Sequence, residues 1–309
     1  MNNIYKLQSQ NKFKSGVIIV LFTLFFALAV WILGQAFGVY AGYRVGGIGY
    51  AGIALIISGV ASFTSYYFSD KIVLSISQAR PADRQRDFEF YTVAENLALA
   101  AGIPKPQLYV IEDSATNAFA TGRDPEHAVV CATRGLLDKL NRTELEGVVA
   151  HELTHIINYD IRLMSIVSVM VGSLALLGDW FMRASLFSRG SRDNDRNSLA
   201  PFILLLGFLF AILSPIIANL IKLAISRRRE FMADAGAVSI THQPSGLISA
   251  LKKISTDQEP LEVANKATAH LYIANPFKKD TNQAIKVFAS LFNTHPPIEE
   301  RLEALHKLS

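Results

Sequence analysis

Two long runs without a charged side chain constrain the fold of this chain more than any other feature of its sequence. The first covers residues 16–37 and the second residues 45–69, which are 22 and 25 residues long. A helix of about 20 apolar residues is long enough to cross the hydrocarbon core of a bilayer. The short connection between the runs carries only one charge, on Arg44. We therefore predict an N-terminal membrane hairpin over residues 1–69.

A cleaved signal peptide is the alternative interpretation of the first run, with Ala27-Leu28-Ala29 as its cleavage site. The apolar stretch continues well past that tripeptide, which favours a retained span. The composition also favours a membrane protein, because 50% of the residues are hydrophobic and only 18% are charged. Soluble proteins are charged at about a quarter of their positions. The net charge of +4 is too small to indicate a nucleic-acid partner.

A second pair of apolar stretches interrupts the remaining chain, at about residues 163–182 and 199–221. The first is short for a span, and Pro215 interrupts the second. A buried core hairpin or a shallow, non-spanning insertion is therefore the alternative to a second membrane hairpin.

Residues 70–309 otherwise have the mixed, charged composition of a soluble domain. Their hydrophobic periodicity predicts helices together with a small β-element. The predicted elements are a helix at 87–101, strands at 107–111 and 127–133, a helical segment at 247–254 and a final helix from about Ile298.

The segment His151-Glu152-Leu153-Thr154-His155 carries the strongest chemical signal. It follows Thr143 and Glu146, which form a predicted capping box at the start of a helix. Residues four apart share one face of a helix, so both imidazoles can bind one tetrahedral Zn²⁺. Glu152 follows the first histidine, as in the H-E-x-x-H arrangement of zinc peptidases. The pattern alone arises by chance in roughly one chain in a hundred of this length, so it needs the support of a third ligand.

Glu230 is the best candidate for that ligand. It forms a second i, i+4 pair with Asp234, so one carboxylate can bind the metal while the other accepts the free N–H of a ligating histidine. A solvated acidic face beside the arginines at 227–229 is the alternative. Cys131 is the only cysteine, which excludes an internal disulfide and fits a reducing compartment.

Several motifs occur in the order typical of the membrane-bound zinc metallopeptidases that include the HtpX heat-shock proteases and the CAAX prenyl endoproteases. The chain resembles the HtpX proteases over nearly its whole length. Besides the two N-terminal runs, the motifs are Asn117-Ala118-Phe119-Ala120-Thr121-Gly122, Thr133-Arg134-Gly135-Leu136-Leu137, His151-Glu152-Leu153-Thr154-His155, Arg228-Arg229-Glu230-Phe231-Met232-Ala233-Asp234, and Thr294-His295-Pro296-Pro297 leading to Arg301. The resemblance implies a mostly α, polytopic membrane protein with a zincin-like metalloprotease domain.

The resemblance also implies roles for single residues. It implies that His151, His155 and Glu230 bind one Zn²⁺ per subunit and that Glu152 is the catalytic base. Asp234 is expected to support a ligand. By analogy, His295 would lie near the cleft and stabilise the oxyanion.

Substrate binding is predicted at the strand over residues 127–133. If this strand is a sheet edge, an extended substrate can add to it as another strand. The expected substrate-binding residues are Asn117, Val129 and Cys131, because this part of the sequence flanks the cleft in the family.

The function expected from these features is cleavage of misfolded or damaged membrane proteins beside the bilayer of a bacterial plasma membrane. The lysines at positions 6, 12 and 14 place the N-terminus, and hence the active site, in the cytoplasm. The arginines between residues 183 and 196 oppose a fully spanning second hairpin. The alternatives are a membrane-anchored zinc adaptor that does not cut, which would not need Glu152, and a small transporter, which would need polar residues inside its spans.

Overall fold

The computed structural model describes residues 2–40, 47–169, 227–262, 271–273 and 296–308. Over these residues the chain is mostly helical and contains a four-stranded mixed sheet. The expectation of a mostly α fold with a small β-sheet is therefore confirmed. Most of the predicted second hairpin, beyond residue 169, and His295 lie outside the described residues.

Two long helices open the chain. Helix α1 covers Asn2–Tyr40 and helix α2 covers Gly47–Tyr67, and the uncharged runs lie largely within them. The helices pack against each other, and the Thr23 hydroxyl donates a hydrogen bond of 2.7 Å to the Ser62 hydroxyl. Judged over the described residues, which omit some side chains of both helices, no helix is long and apolar enough to cross a membrane.

The sheet has the strand order β1-β2-β4-β3. Strand β1 pairs antiparallel with β2, β2 pairs parallel with β4, and β3 pairs antiparallel with β4. The strands are β1 (Arg80–Pro81), β2 (Gln107–Ile111), β3 (Ala118–Gly122) and β4 (Ala128–Thr133). The sequence therefore predicted β2 and β4 correctly but did not predict β3.

The prediction that the strand at 127–133 is a sheet edge is wrong. This strand is β4, and it pairs with β2 on one side and with β3 on the other. Its backbone groups are used within the sheet, so a substrate strand cannot add to it. The edges of the sheet are the two-residue strand β1 and strand β3, whose mostly small residues make a strand pattern hard to recognise.

The helices at 88–101, 142–157, 244–256 and 298–306 lie where the sequence predicted helices, whereas those at 69–76 and 134–139 were not predicted. The helices around the sheet are α3 (Ser69–Ile76), α4 (Phe88–Ala101), α5 (Arg134–Lys139), α6 (Arg142–Ile157), a helix described over 160–169, α7 (Arg227–Thr241), α8 (Pro244–Thr256) and α9 (Ile298–His306). Helix α4 ends at Gly102, whose left-handed φ of 68° suits a residue without a Cβ. The helix predicted at 87–101 is thus confirmed within one residue.

The main core lies between one face of the sheet and helices α4, α6 and α8. Alternate residues of a strand point to opposite faces, so Val110 and Val130 join this core, whereas Ile111 and Cys131 pack on the other face. The second face is covered by a smaller apolar cluster that includes Tyr272.

The N-cap of helix α6 is Asn141, two residues before the predicted cap at Thr143. The Asn141 side chain accepts a hydrogen bond from the Glu144 N–H at 3.0 Å, and the Glu144 carboxylate accepts one from the Asn141 N–H at 2.8 Å. The capping box predicted at Thr143 and Glu146 is therefore wrong. Both pairs have the right spacing, and only the observed pair lies where the chain turns into the helix.

Two glycines let neighbouring helices approach α6 closely. A Cβ on Gly147 would lie 2.6 Å from the Leu247 backbone nitrogen, and a Cβ on Gly236 would lie 2.4 Å from the Thr154 methyl group. The first contact seats α8 against α6, and the second brings α7 to the helix that carries both histidines.

Candidate metal centre

Helix α6 presents His151 and His155 on one buried face. Their exposed fractions are 1% and 5%, and their Nε2 atoms lie 3.2 Å apart. One helical turn separates the two residues, so the helix itself sets this distance.

Glu230, on α7, completes a group of three possible ligands. Its Oε2 lies 3.6 Å from His151 Nε2, and its Oε1 lies 3.7 Å from His155 Nε2. With metal–ligand bonds of about 2.0–2.1 Å, the ligand atoms of a tetrahedral zinc site lie about 3.3–3.4 Å apart. The two Nε2 atoms are 3.2 Å apart, and each lies 3.6 or 3.7 Å from a different oxygen of the Glu230 carboxylate, which is close to that value. Two imidazoles and one carboxylate are a typical donor set for catalytic zinc, so the residues fit the ion.

A buried ion pair lies behind His151. Asp234 Oδ1 lies 2.9 Å from His151 Nδ1, and the Arg301 guanidinium donates to both oxygens of Asp234, at 2.6 and 2.9 Å. Burial alone would raise the pKa of Asp234, but Arg301 and His151 hold it below its usual value. Burial would likewise lower the pKa of His151, but hydrogen bonds with Asp234 and Glu230 raise it to about 9.

A second carboxylate lies behind His155. Asp160 Oδ2 lies 3.0 Å from His155 Nδ1, and its other oxygen, Oδ1, lies 3.1 Å from Arg229 Nε. Each histidine thus has a carboxylate at Nδ1, which orients the ring so that Nε2 faces the metal position. Asp234 was predicted from its spacing, whereas Asp160 and Arg301 were not. Asp160 lies five residues after His155, which is not a spacing that places two residues on one helix face. Arg301 lies on α9, which is remote in sequence.

Glu152 is buried beside this cluster, with an exposed fraction of 3%. Its charge helps to raise the pKa values of Arg301 and Cys131, so its carboxylate acts on the same interior. Burial is the main cause of the raised pKa of the Cys131 thiol, which therefore stays protonated at neutral pH.

The predicted substrate-binding residues lie in the sheet. Val129 and Cys131 are buried in β4, with exposed fractions of 1% and 0%. Asn117, directly before β3, is also buried, and its carbonyl accepts a hydrogen bond of 2.9 Å from the Thr133 N–H. The role predicted for Val129 and Cys131 depended on an edge position that β4 does not have.

The outer strand β3 is itself covered. The Ile273 N–H donates to the Ala118 carbonyl at 3.0 Å, and the Tyr272 ring packs edge-on against Phe119. At the other end of the strand, the Gly122 N–H donates to the Ser165 hydroxyl at 3.1 Å. An extended substrate that pairs with β3 must displace at least one of these contacts.

A second group of possible ligands, Asp124, Glu126 and His127, is mostly exposed. His127 Nδ1 lies 2.6 Å from Asp124 Oδ1, in a turn that caps a short helical segment. The turn explains this cluster without a metal.

Residues 84–309 match the family model described as peptidase family M48. A protease HtpX homolog of Dictyoglomus turgidum is 42% identical over 306 residues, covering 98% of this chain and 94% of the relative. Another, from Thermoanaerobacter pseudethanolicus, is 43% identical over 308 residues, covering 99% of this chain and 98% of the relative. One from Thermococcus kodakarensis is 44% identical over 270 residues, covering 87% and 90%.

Among solved structures, the crystal structure of S. mikatae Ste24p matches with a TM-score of 0.43 and 18% sequence identity. The match covers 97% of this chain and 66% of Ste24p, so this chain spans slightly less than two thirds of that protein.

Proposed function

This chain belongs to peptidase family M48 and is therefore a metalloprotease, and from that premise we propose that it is a zinc-dependent endopeptidase that cuts membrane proteins beside the lipid bilayer. The resemblance to HtpX proteases noted from the motifs is confirmed by the full-length relatives. The metal, the substrate class and the membrane setting are our proposals.

The geometry of His151, His155 and Glu230 carries the proposal. The two Nε2 atoms lie 3.2 Å apart, and each lies within 3.7 Å of a carboxylate oxygen of Glu230, so the three side chains converge on one position. Zinc held by these three side chains would supply Lewis-acid chemistry at this position. Glu152 takes the proton of the attacking water and delivers it to the leaving amine.

Contacts at the C-terminal end of α6 support a site close to a membrane surface. Lys12 Nζ lies 4.1 Å from the centre of the Tyr159 ring, and the Arg162 guanidinium lies 5.1 Å from the same ring. Arg123 lies 5.1 Å from the Tyr67 ring. Tyrosine, lysine and arginine are typical of membrane–water interfaces. Tyr159 follows His155 by four residues and lies in the turn directly after α6.

The outer faces of α1 and α2 support a lipid environment. Many large apolar side chains are exposed there, with exposed fractions between 41% and 68%. They include Val17, Val20, Leu21, Leu24, Leu28, Ile53, Leu55, Ile56, Ile57, Val60 and Phe63. A continuous apolar surface of this extent is unusual in a water-soluble monomer.

A further contact supports placing the N-terminus and the site on the same side of the membrane. The Gln8 side chain donates a hydrogen bond of 2.8 Å to the Ile157 carbonyl, so the segment before the first uncharged run contacts the end of α6. Because the N-terminal lysines favour the cytoplasm, we propose a cytoplasm-facing site in a bacterial plasma membrane. Misfolded or damaged membrane proteins are the proposed substrates.

The test of the proposed activity is metal analysis and cleavage of a membrane-anchored model substrate by the full-length protein in detergent. Glu152→Gln should retain one zinc and lose about 10²–10⁴-fold in kcat, because it lacks the base. Glu146→Gln, on the same helix but paired with Arg142 at 3.1 Å, is the matched control and should keep both properties. Zinc binding without cleavage in the wild type would instead support an adaptor.

The proposed setting has a separate test. A substrate tethered to the bilayer near its cleavage site should be cut faster than the same sequence in soluble form, and equal rates would contradict the proposal. Labelling of Ser9→Cys and Ser245→Cys from each side of sealed vesicles should show both on the cytoplasmic side. Because Cys131 is buried, it should contribute little background. Ser191→Cys then reports whether the second hairpin crosses.

A further inference from the structure

The polar start of α1 docks on the C-terminal end of α6. Carbonyl groups in the last turn of a helix lack intrahelical partners and need donors from elsewhere. Gln8 donates to the Ile157 carbonyl at 2.8 Å, and Asn11 donates to the Asn158 carbonyl at 2.9 Å. Both donors come from a helix more than 140 residues earlier in the chain. Helix α1 therefore caps the helix that carries both histidines.

Asn11 makes a further contact that Gln8 does not make. Its side-chain nitrogen lies 2.8 Å from Asp160 Oδ1, while Asp160 Oδ2 lies 3.0 Å from His155 Nδ1. Asn11, Asp160 and His155 are all buried, with exposed fractions of 3%, 0% and 5% respectively. An amide of α1 is thus separated from a metal ligand by one carboxylate.

The other half of the Asn11 amide fits the same arrangement. Its oxygen accepts a hydrogen bond of 3.3 Å from Arg229 Nη2, and Arg229 Nε lies 3.1 Å from the Asp160 oxygen that Asn11 contacts. The opposite amide orientation would place an oxygen against two acceptors and a nitrogen against a donor. Arg229 directly precedes Glu230, so Asn11 joins both chain segments that supply ligands.

We propose that Asn11 is a positioning residue for the metal site: it holds Asp160 so that His155 presents Nε2 to zinc. Asp160 can fix the His155 ring only if its own carboxylate is held, and Asn11 and Arg229 hold the same oxygen. Residue 11 lies outside residues 84–309, so the N-terminal helix adds a support to a site whose ligands all lie within the matched segment. This inference rests on the zinc-dependent function proposed above.

The experiment measures zinc affinity by competition with a chelator, using full-length protein in detergent. Asn11→Ala should lower the affinity by about tenfold, the lower end of the range for groups behind a zinc histidine. Gln8→Ala is the matched control, because it also removes an amide of α1 that caps α6 but does not contact Asp160. It should bind zinc like the wild type. The absorption spectrum of the Co²⁺-substituted protein should change in Asn11→Ala and not in Gln8→Ala.

A double-mutant cycle identifies the route of the effect. If Asn11 acts through Asp160, then Asn11→Ala should have no further effect on zinc affinity in an Asp160→Ala background. An undiminished effect there, or equal losses in Asn11→Ala and Gln8→Ala, would overturn the proposal. So would unchanged zinc affinity in Asn11→Ala. Asn11→Ser keeps a hydrogen-bond donor and replaces the alanine variant if that variant does not fold.

Failure of the proposed function has a different signature. A wild-type protein that binds no zinc would refute the zinc peptidase, and the role of Asn11 would fall with it. A wild type that binds zinc, together with an Asn11→Ala variant of equal affinity, would refute only the role of Asn11.

Discussion

Arg301 is a fully buried cation whose partner Asp234 contacts His151, a proposed metal ligand. It contacts both oxygens of Asp234 and lies 3.8 Å from Glu230 Oε2. Burial would lower the pKa of Arg301, but the adjacent carboxylates keep it above its usual value. The guanidinium therefore stays charged, and its charge balances the acids that surround the two histidines.

Replacing Arg301 by Met should destabilise the metal-free protein strongly. The change leaves buried carboxylates without their cation, and breaking a buried pair in this way costs about 3–5 kcal/mol. Arg142→Met removes an exposed partner of Glu146 and should cost less than about 1 kcal/mol. Denaturant unfolding of both variants measures the difference, and similar losses would contradict the assigned role of Arg301.

At the scale of elements, the crossing of α6 and α7 sets the distance between Glu230 and the two histidines. Glu230 reaches the histidines only because Gly236 has no side chain where the two helices meet. A Cβ there would lie 2.4 Å from the Thr154 methyl group and 2.7 Å from its hydroxyl. Helix propensity alone would favour alanine over glycine by about 1 kcal/mol. Propensity therefore predicts that Gly236→Ala stabilises the protein, whereas packing predicts that it destabilises the protein.

We expect packing to decide this contest. Gly236→Ala should lower the free energy of unfolding by about 1–3 kcal/mol, as overpacked cores do, and should weaken zinc binding by moving Glu230. Thr154→Ala removes both overlapping atoms, so the double variant should recover most of the loss. Denaturant unfolding and chelator competition test this, and a single variant more stable than the wild type would contradict it.

The connection after α8 contains a carboxylate, that of Asp257, whose charge affects the stability of the fold. The Asp257 carboxylate accepts hydrogen bonds from the N–H and the hydroxyl of Thr116, at 2.8 and 2.7 Å, and lies 3.2 Å from Lys139 Nζ. These contacts outweigh the effect of burial and hold the pKa of Asp257 well below its usual value. A lowered folded-state pKa adds stability above the unfolded-state value, and this stability is lost as the pH falls through the folded-state value.

Asp257→Asn should therefore be less stable than the wild type at pH 7. The difference should shrink as the pH falls below about 4, where the unfolded-state carboxyl becomes protonated. Unfolding measured between pH 7 and pH 2 tests this, with the exposed Asp138→Asn as control. A difference that does not change with pH would show that the charge of Asp257 contributes nothing.

At the scale of the whole molecule, local patterns predicted local structure well. The strand Gln107–Ile111, helix α4, the helix from Ile298 and the group of His151, His155 and Glu230 all follow from spacing along the chain. The position of β4 within the sheet did not, because strand order depends on contacts between distant segments. Asp160, Arg301 and Asn11 were missed as supports for the same reason.

The buried position of Arg301 also has a consequence for the order in which the protein is made. Arg301 supports His151 from 150 residues further along the chain, and Asn11 precedes both. A nascent chain whose two histidines have already left the ribosome still lacks Arg301, the cation that balances Asp234. The arrangement of His151, Asp234 and Arg301 can therefore be complete only after the segment that carries Arg301 has been made.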